Sequence, residues 1–144
     1  GIVLKDLDYI AKKNFEYYEN YYKTILNQDP NDIKSKMGLG VLYATFDMKE
    51  KAKAVFSEVL ESDPNNSPAL NNMGNIYMMN SDYSSALEFY DKAYKSDPYD
   101  ANILLNIAKA YIKLNKSEDA KLFFNKAVAI DPELGKFKED LFKN

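Results

Sequence analysis

SPALNNMGNIYMMNSDYSSALEFYDKAYKSDP, from Ser67 to Pro98, decides the fold of this chain. Leu70, Met73, Gly74 and Tyr77 fall at i, i+3, i+4 and i+7, an apolar stripe at helical period. Asn80-Ser81-Asp82 interrupts the stripe with three residue types that accept backbone N–H bonds at a helix start. Tyr83, Ala86, Leu87, Tyr90 and Ala93 then rebuild it. Asp97-Pro98 ends it, because proline has no N–H to donate and pushes its predecessor out of the α region. The stretch predicts two helices joined by a tight turn.

Displaced forward by 34 residues, the same chemical types return: Leu104, Ile107, Ala108, Tyr111, Ala120, Phe124, Ala127 and Asp131-Pro132. Displaced backward, Leu39, Gly40, Tyr43, Ala52 and Phe56 take the corresponding places. Pro30, Pro64, Pro98 and Pro132 mark the same interval of 34. The chain is therefore a repeat array of antiparallel helix pairs, with units at 33–66, 67–100 and 101–134. Gly40, Gly74 and Ala108 on first helices, and Ala52, Ala86 and Ala120 on second helices, let each pair close to about 8 Å. Tyr43, Tyr77 and Tyr111, with Phe56, Tyr90 and Phe124, are expected to fill the space between successive pairs.

The ends follow the ruler less well. Phe15, Tyr22 and Asp29-Pro30 fall on the expected places, yet Tyr18 stands where the other units carry alanine. Residues 1–32 read either as a degenerate helix pair broken at Lys12-Lys13-Asn14, the arrangement favoured by the ruler, or as one long helix. The stripe Leu4, Leu7, Ala11, Phe15, Tyr18, Tyr22, Ile25 supports the second reading. At the other end, residues 135–144 suit a capping helix with Phe137, Leu141 and Phe142 on one side, or the first helix of a further unit. Gly1 in place of a methionine points to a segment cut from a longer protein behind a tag scar.

Composition narrows the chemistry. The net charge is −3 and the lysines are interleaved with acids, so no concentrated basic surface is available for nucleic acid. No apolar run approaches the ~20 residues of a membrane span. Histidine and cysteine are both absent, which removes disulfides, the usual zinc, iron and copper ligand sets, and imidazole acid–base chemistry. No cofactor is expected. Asp29, Asp63, Asp97 and Asp131 recur, but each precedes a proline at a helix end, where turn chemistry accounts for it. With no phosphate loop and no paired carboxylates outside the repeat pattern, no catalytic residue is assigned.

These residues resemble the tetratricopeptide repeat family, whose 34-residue pattern sets a large apolar residue, Leu-Gly, Tyr, Ala, an aromatic, Ala and Pro in order. Leu70, Met73-Gly74, Tyr77, Ala86, Tyr90, Ala93 and Pro98 supply it once. Leu104, Ile107-Ala108, Tyr111, Ala120, Phe124, Ala127 and Pro132 supply it again. Leu39-Gly40, Tyr43, Ala52, Phe56 and Pro64 supply it a third time, departing at Lys36 and Val59. The resemblance implies an all-α solenoid, a right-handed superhelix whose first helices line a concave groove. It also implies a scaffold that binds a peptide or helix of a protein partner there, with chemistry left to other domains.

On that groove the faces opposite the stripes carry Asn71, Asn72, Asn75 and Met79, then Asn102, Asn106, Lys109 and Lys113. Amide side chains donate and accept at once, which suits an extended peptide backbone. Asn72 and Asn106, 34 apart, are expected to stack as a ladder, an arrangement common across the resembled family. The clamp by which some members hold chaperone tails is matched only at Asn72, with Met37, Val41, Asn102 and Asn106 at its other places. Lys109 and Lys113, one turn apart, offer charge to an acidic ligand. The alternative function is assembly: Tyr17, Tyr18, Tyr21 and Tyr22 are too many aromatics for one helix to bury alone, which suggests a homodimer.

Overall fold

The computed structural model describes residues 4–143, with side chains from residue 9 onward. Residues 1–3 of the N-terminal segment and Asn144 of the expected cap lie outside the described residues. The described residues contain helices and turns and no strand. They form two compact units, divided between Ser62 and Asp63.

The first unit holds α1 (Leu4–Gln28), α2 (Ile33–Thr45) and α3 (Lys49–Ser62). Its first helix corrects the broken-pair reading of residues 1–32. α1 runs through Lys12-Lys13-Asn14 without interruption, because no Gly or Pro breaks it and the apolar stripe continues across those residues. α1 packs antiparallel on α2. The Tyr22 ring lies over Gly38, and the Phe15 ring sits 5.1 Å from that of Phe46. Between them the Tyr43 hydroxyl donates to Glu19 Oε2 at 2.8 Å. Burial, reinforced by that carboxylate's hydrogen bond and charge, pushes the Tyr43 phenol up to about 12.

The second unit holds α4 (Ser67–Met79), α5 (Tyr83–Ser96), α6 (Ala101–Lys113) and α7 (Ser117–Ile130). α4, α5 and α6 are each capped at the start by a side chain. Asn66 accepts from the Ala69 N–H, Asp82 from Ser85 and Asp100 from Asn102. Within each unit, helices pack chiefly on the helix before or after them in sequence.

The turn inside every pair has one geometry. Asp47, Ser81 and Asn115, spaced by 34, take left-handed φ values of 60°, 59° and 59°. The following N–H of Met48, Asp82 or Lys116 reaches back to the carbonyl of Tyr43, Tyr77 or Tyr111. With the N–H of Asp47, Ser81 or Asn115 donating to the carbonyl of Ala44, Met78 or Ile112, this double closure is a Schellman motif, which usually places glycine at the left-handed position. Asp and Asn tolerate that position through local side-chain hydrogen bonding, whereas Ser81 carries more of the ~1–2 kcal/mol steric cost.

Packing within the pairs revises the expected role of the rings. Phe56 lies directly on Gly40 and Tyr90 on Gly74, so these second-helix rings wedge inside their own pair rather than between successive pairs. A Cβ on Gly74 would run into the Tyr90 ring. The expected capping helix at 135–144 is also revised. Pro132–Phe137 is a 3-10 segment and only Lys138–Leu141 (α8) is α-helical. Leu134 is buried against Leu104, Leu105, Ala108 and Phe124, and the Phe142 ring meets Phe124 edge-on at 5.4 Å. Two apolar anchors thus close the end without a full helix.

Candidate functional site

In the second unit, α4 buries Leu70, Met73 and Gly74 and turns Asn71 and Asn75, one turn apart, away from that core. α6 buries Leu104, Ile107 and Ala108 and leaves Asn102, Lys109 and Lys113 exposed, with Asn106 half-buried. Leu105 is buried as well. Met79 is 47% exposed at the end of α4.

Three amides meet between the two helices. Asn106 Nδ2 donates to Asn71 Oδ1 at 3.0 Å and to Asn75 Oδ1 at 3.5 Å. The Tyr90 hydroxyl donates to the same Asn75 oxygen at 2.6 Å. Burial alone pushes the Tyr90 phenol well above its ordinary value, so it remains a donor. Among the described residues, Asn71 Nδ2, Asn75 Nδ2 and Asn106 Oδ1 have no protein partner. The trio is fixed in place yet keeps two donor groups and one acceptor, the combination a peptide unit needs.

The amides pair differently from the expected ladder: Asn106 bonds diagonally to Asn71 and Asn75, not to Asn72. At 3.6 residues per turn, Asn72 lies about 100° further round α4 and off the flank turned toward α6. In sequence, Tyr90 reads as a packing residue alone. The signal was present. The residues at the ring position are Phe56, Tyr90 and Phe124, and the first-helix residues at the place of Asn75, 34 apart, are Val41, Asn75 and Lys109. A hydroxyl replaces hydrogen only where an amide stands to receive it.

Charge is sorted across the helices. α2, α4 and α6, each of 13 residues, contain no Asp or Glu, in a chain with 22 acids. α4 has no charged residue, and α6 has only Lys109 and Lys113. Among the described residues neither lysine forms an ion pair; the paired lysines lie elsewhere, as with Lys121 and Glu118.

In the first unit, α1 exposes a separate apolar face. Tyr17 is 67% and Tyr18 48% exposed, with Tyr9, Ile10 and Tyr21 similarly open. The Tyr17 and Tyr18 rings meet edge-on at 5.2 Å. No helix among the described residues is long and apolar enough to cross a membrane.

Three family profiles described as tetratricopeptide repeat match the chain, at residues 33–66, 55–88 and 77–136. No curated protein matches it. Among solved structures, it is similar to a crystal structure of MamA at 19% identity, with a TM-score of 0.74 over 92% of this chain and 77% of that one. A MamA RS-1 double mutant is similar at 24% identity, with a TM-score of 0.78 over 92% and 74%. At these identities the likeness establishes the fold.

Proposed function

The chain belongs to the tetratricopeptide repeat family, whose repeats serve as protein-interaction scaffolds, and we propose that its binding face is the one formed by α4 and α6. An extended peptide or a helix of a partner protein lies there, bordered by Asn71, Asn72, Asn75 and Met79 on one side. Asn102, Asn106, Lys109 and Lys113 border the other. The observation that carries this reading is the amide trio, pre-positioned by Tyr90 and still holding unused donors and an acceptor. A backbone docked there loses little entropy to side-chain ordering, since the amides are already fixed.

A peptide library panned against the chain supplies the ligand for a test. Asn71→Ala with Asn106→Ala should weaken the selected peptides about tenfold or more, since each lost hydrogen bond costs about 0.5–1.5 kcal/mol. Helicity and melting should stay close to wild type, because both partners of the Asn71–Asn106 bond are removed together. Unchanged affinity would remove the α4–α6 face from consideration.

A second reading, self-association through α1, is favoured by the exposed tyrosine face of that helix. A contiguous apolar surface of this kind marks interaction sites on other proteins. Static light scattering across a hundredfold concentration range decides it: a dimer mass that reverts to monomer in Tyr17→Glu with Tyr21→Glu supports it, and a monomer throughout ends it.

A further inference from the structure

We propose that the α4–α6 face selects an acidic ligand: an internal, extended segment of a partner protein carrying carboxylate side chains two residues apart. The inference rests on the groove reading above and adds the class of ligand. Four observations bear on it. No acid is present on α4 or α6, although acids outnumber bases in the chain as a whole. The two charges on this face are both positive and both exposed. Neither lysine is neutralised by a protein carboxylate within the described residues, whereas six other lysines are paired. The fourth is their position, on the same stripe of α6 as Asn106, at steps of three and four residues.

The spacing also fits. Lys109 and Lys113 are separated by about 6 Å along the helix axis, at 1.5 Å per residue. Alternate side chains of an extended chain repeat at about 6.6 Å, at 3.3 Å per residue, and project to the same side. A segment with its peptide units against Asn71, Asn75 and Asn106 therefore sets residues i and i+2 over the two ammonium groups. An acidic-x-acidic sequence satisfies both, and amides that read only the backbone leave the intervening residue free. Acids on the facing helices would repel such a segment, and α4 and α6 have none.

The probes are acetylated and amidated twelve-residue peptides, one with Glu at alternate positions, one with Gln in their place, and a Gln peptide with a free C-terminal carboxylate. Each is titrated into the full chain by fluorescence anisotropy, with amide shifts followed by NMR. The Glu peptide should bind more tightly than the Gln peptide, perturb amides of α4 and α6, and weaken as salt is raised. Lys109→Gln with Lys113→Gln should reduce its affinity about fivefold, as two exposed ion pairs would, and change that of the Gln peptide by less. Equal binding of Glu and Gln peptides, or indifference to the double substitution, overturns the acidic class. If the Gln peptide still binds and is lost in Asn71→Ala with Asn106→Ala, the groove reading survives that failure. Tight binding only of the free-carboxylate peptide overturns side-chain carboxylates as the source, and binding of none on α4 or α6 overturns both readings.

Discussion

Tyr90→Ala should destabilise the unit from Asp63 onward by about 3–5 kcal/mol, the range for removing a buried aromatic side chain. Tyr90 is 1% exposed, and its ring occupies the space left by the missing Cβ of Gly74. Alanine leaves that space empty, because the backbones of α4 and α5 are held at the turn between them by the Schellman motif and the Asp82 cap. Tyr90→Phe separates the ring from its hydroxyl. It keeps the wedge, loses the 2.6 Å bond to Asn75, and should cost about 1 kcal/mol. Thermal and urea melts of the three proteins test the pair of claims. Near-equal losses in both variants would show that the hydroxyl, not the ring, carries the contact.

Ala86→Leu should cost roughly 1–3 kcal/mol by overpacking the same pair from the α5 side. Ala86 is fully buried, so the added branch must displace atoms already packed around it. A urea midpoint equal to wild type would mean that this side of α5 does not face α4. The chain contains its own control. Tyr18 on α1 occupies the place that alanine holds in the later second helices, and it is 48% exposed. α1 has no first helix of its own in front of it within the described residues, so nothing there demands a small side chain.

The helix pairs were legible because their determinants are local and recur. Apolar stripes, Asp-Pro stops and small residues at matched places define α2 to α7 almost to their ends. The continuity of α1 was less legible, since the repeat ruler favoured a break at Lys12-Lys13-Asn14 and only the tertiary setting decides whether polar residues interrupt a helix. The 3-10 segment at Pro132–Phe137 is not legible in sequence, because the burial of Leu134 and the packing of Phe142 on Phe124, rather than propensity, favour it. Within the site, sequence pattern placed Asn71, Asn75, Asn106, Lys109 and Lys113 on one face. The diagonal pairing of the amides depends on how α4 and α6 are rotated about their own axes, which equal spacing in sequence does not specify.

Packing of each helix chiefly on its neighbours in sequence has a kinetic consequence. Such a chain has low contact order, so little loop-closure entropy is spent before native contacts form. The fixed three-residue turns at Asp47, Ser81 and Asn115 shorten those closures further. Folding of each unit belongs in the microsecond-to-millisecond range of helical proteins, nucleated at any well-formed pair and spreading outward from it. Slow hydrogen exchange should then concentrate in α5 and α6 within the second unit, with its terminal helices opening first. Tyr90 and Asn106 would sit in the last part of that unit to lose its structure.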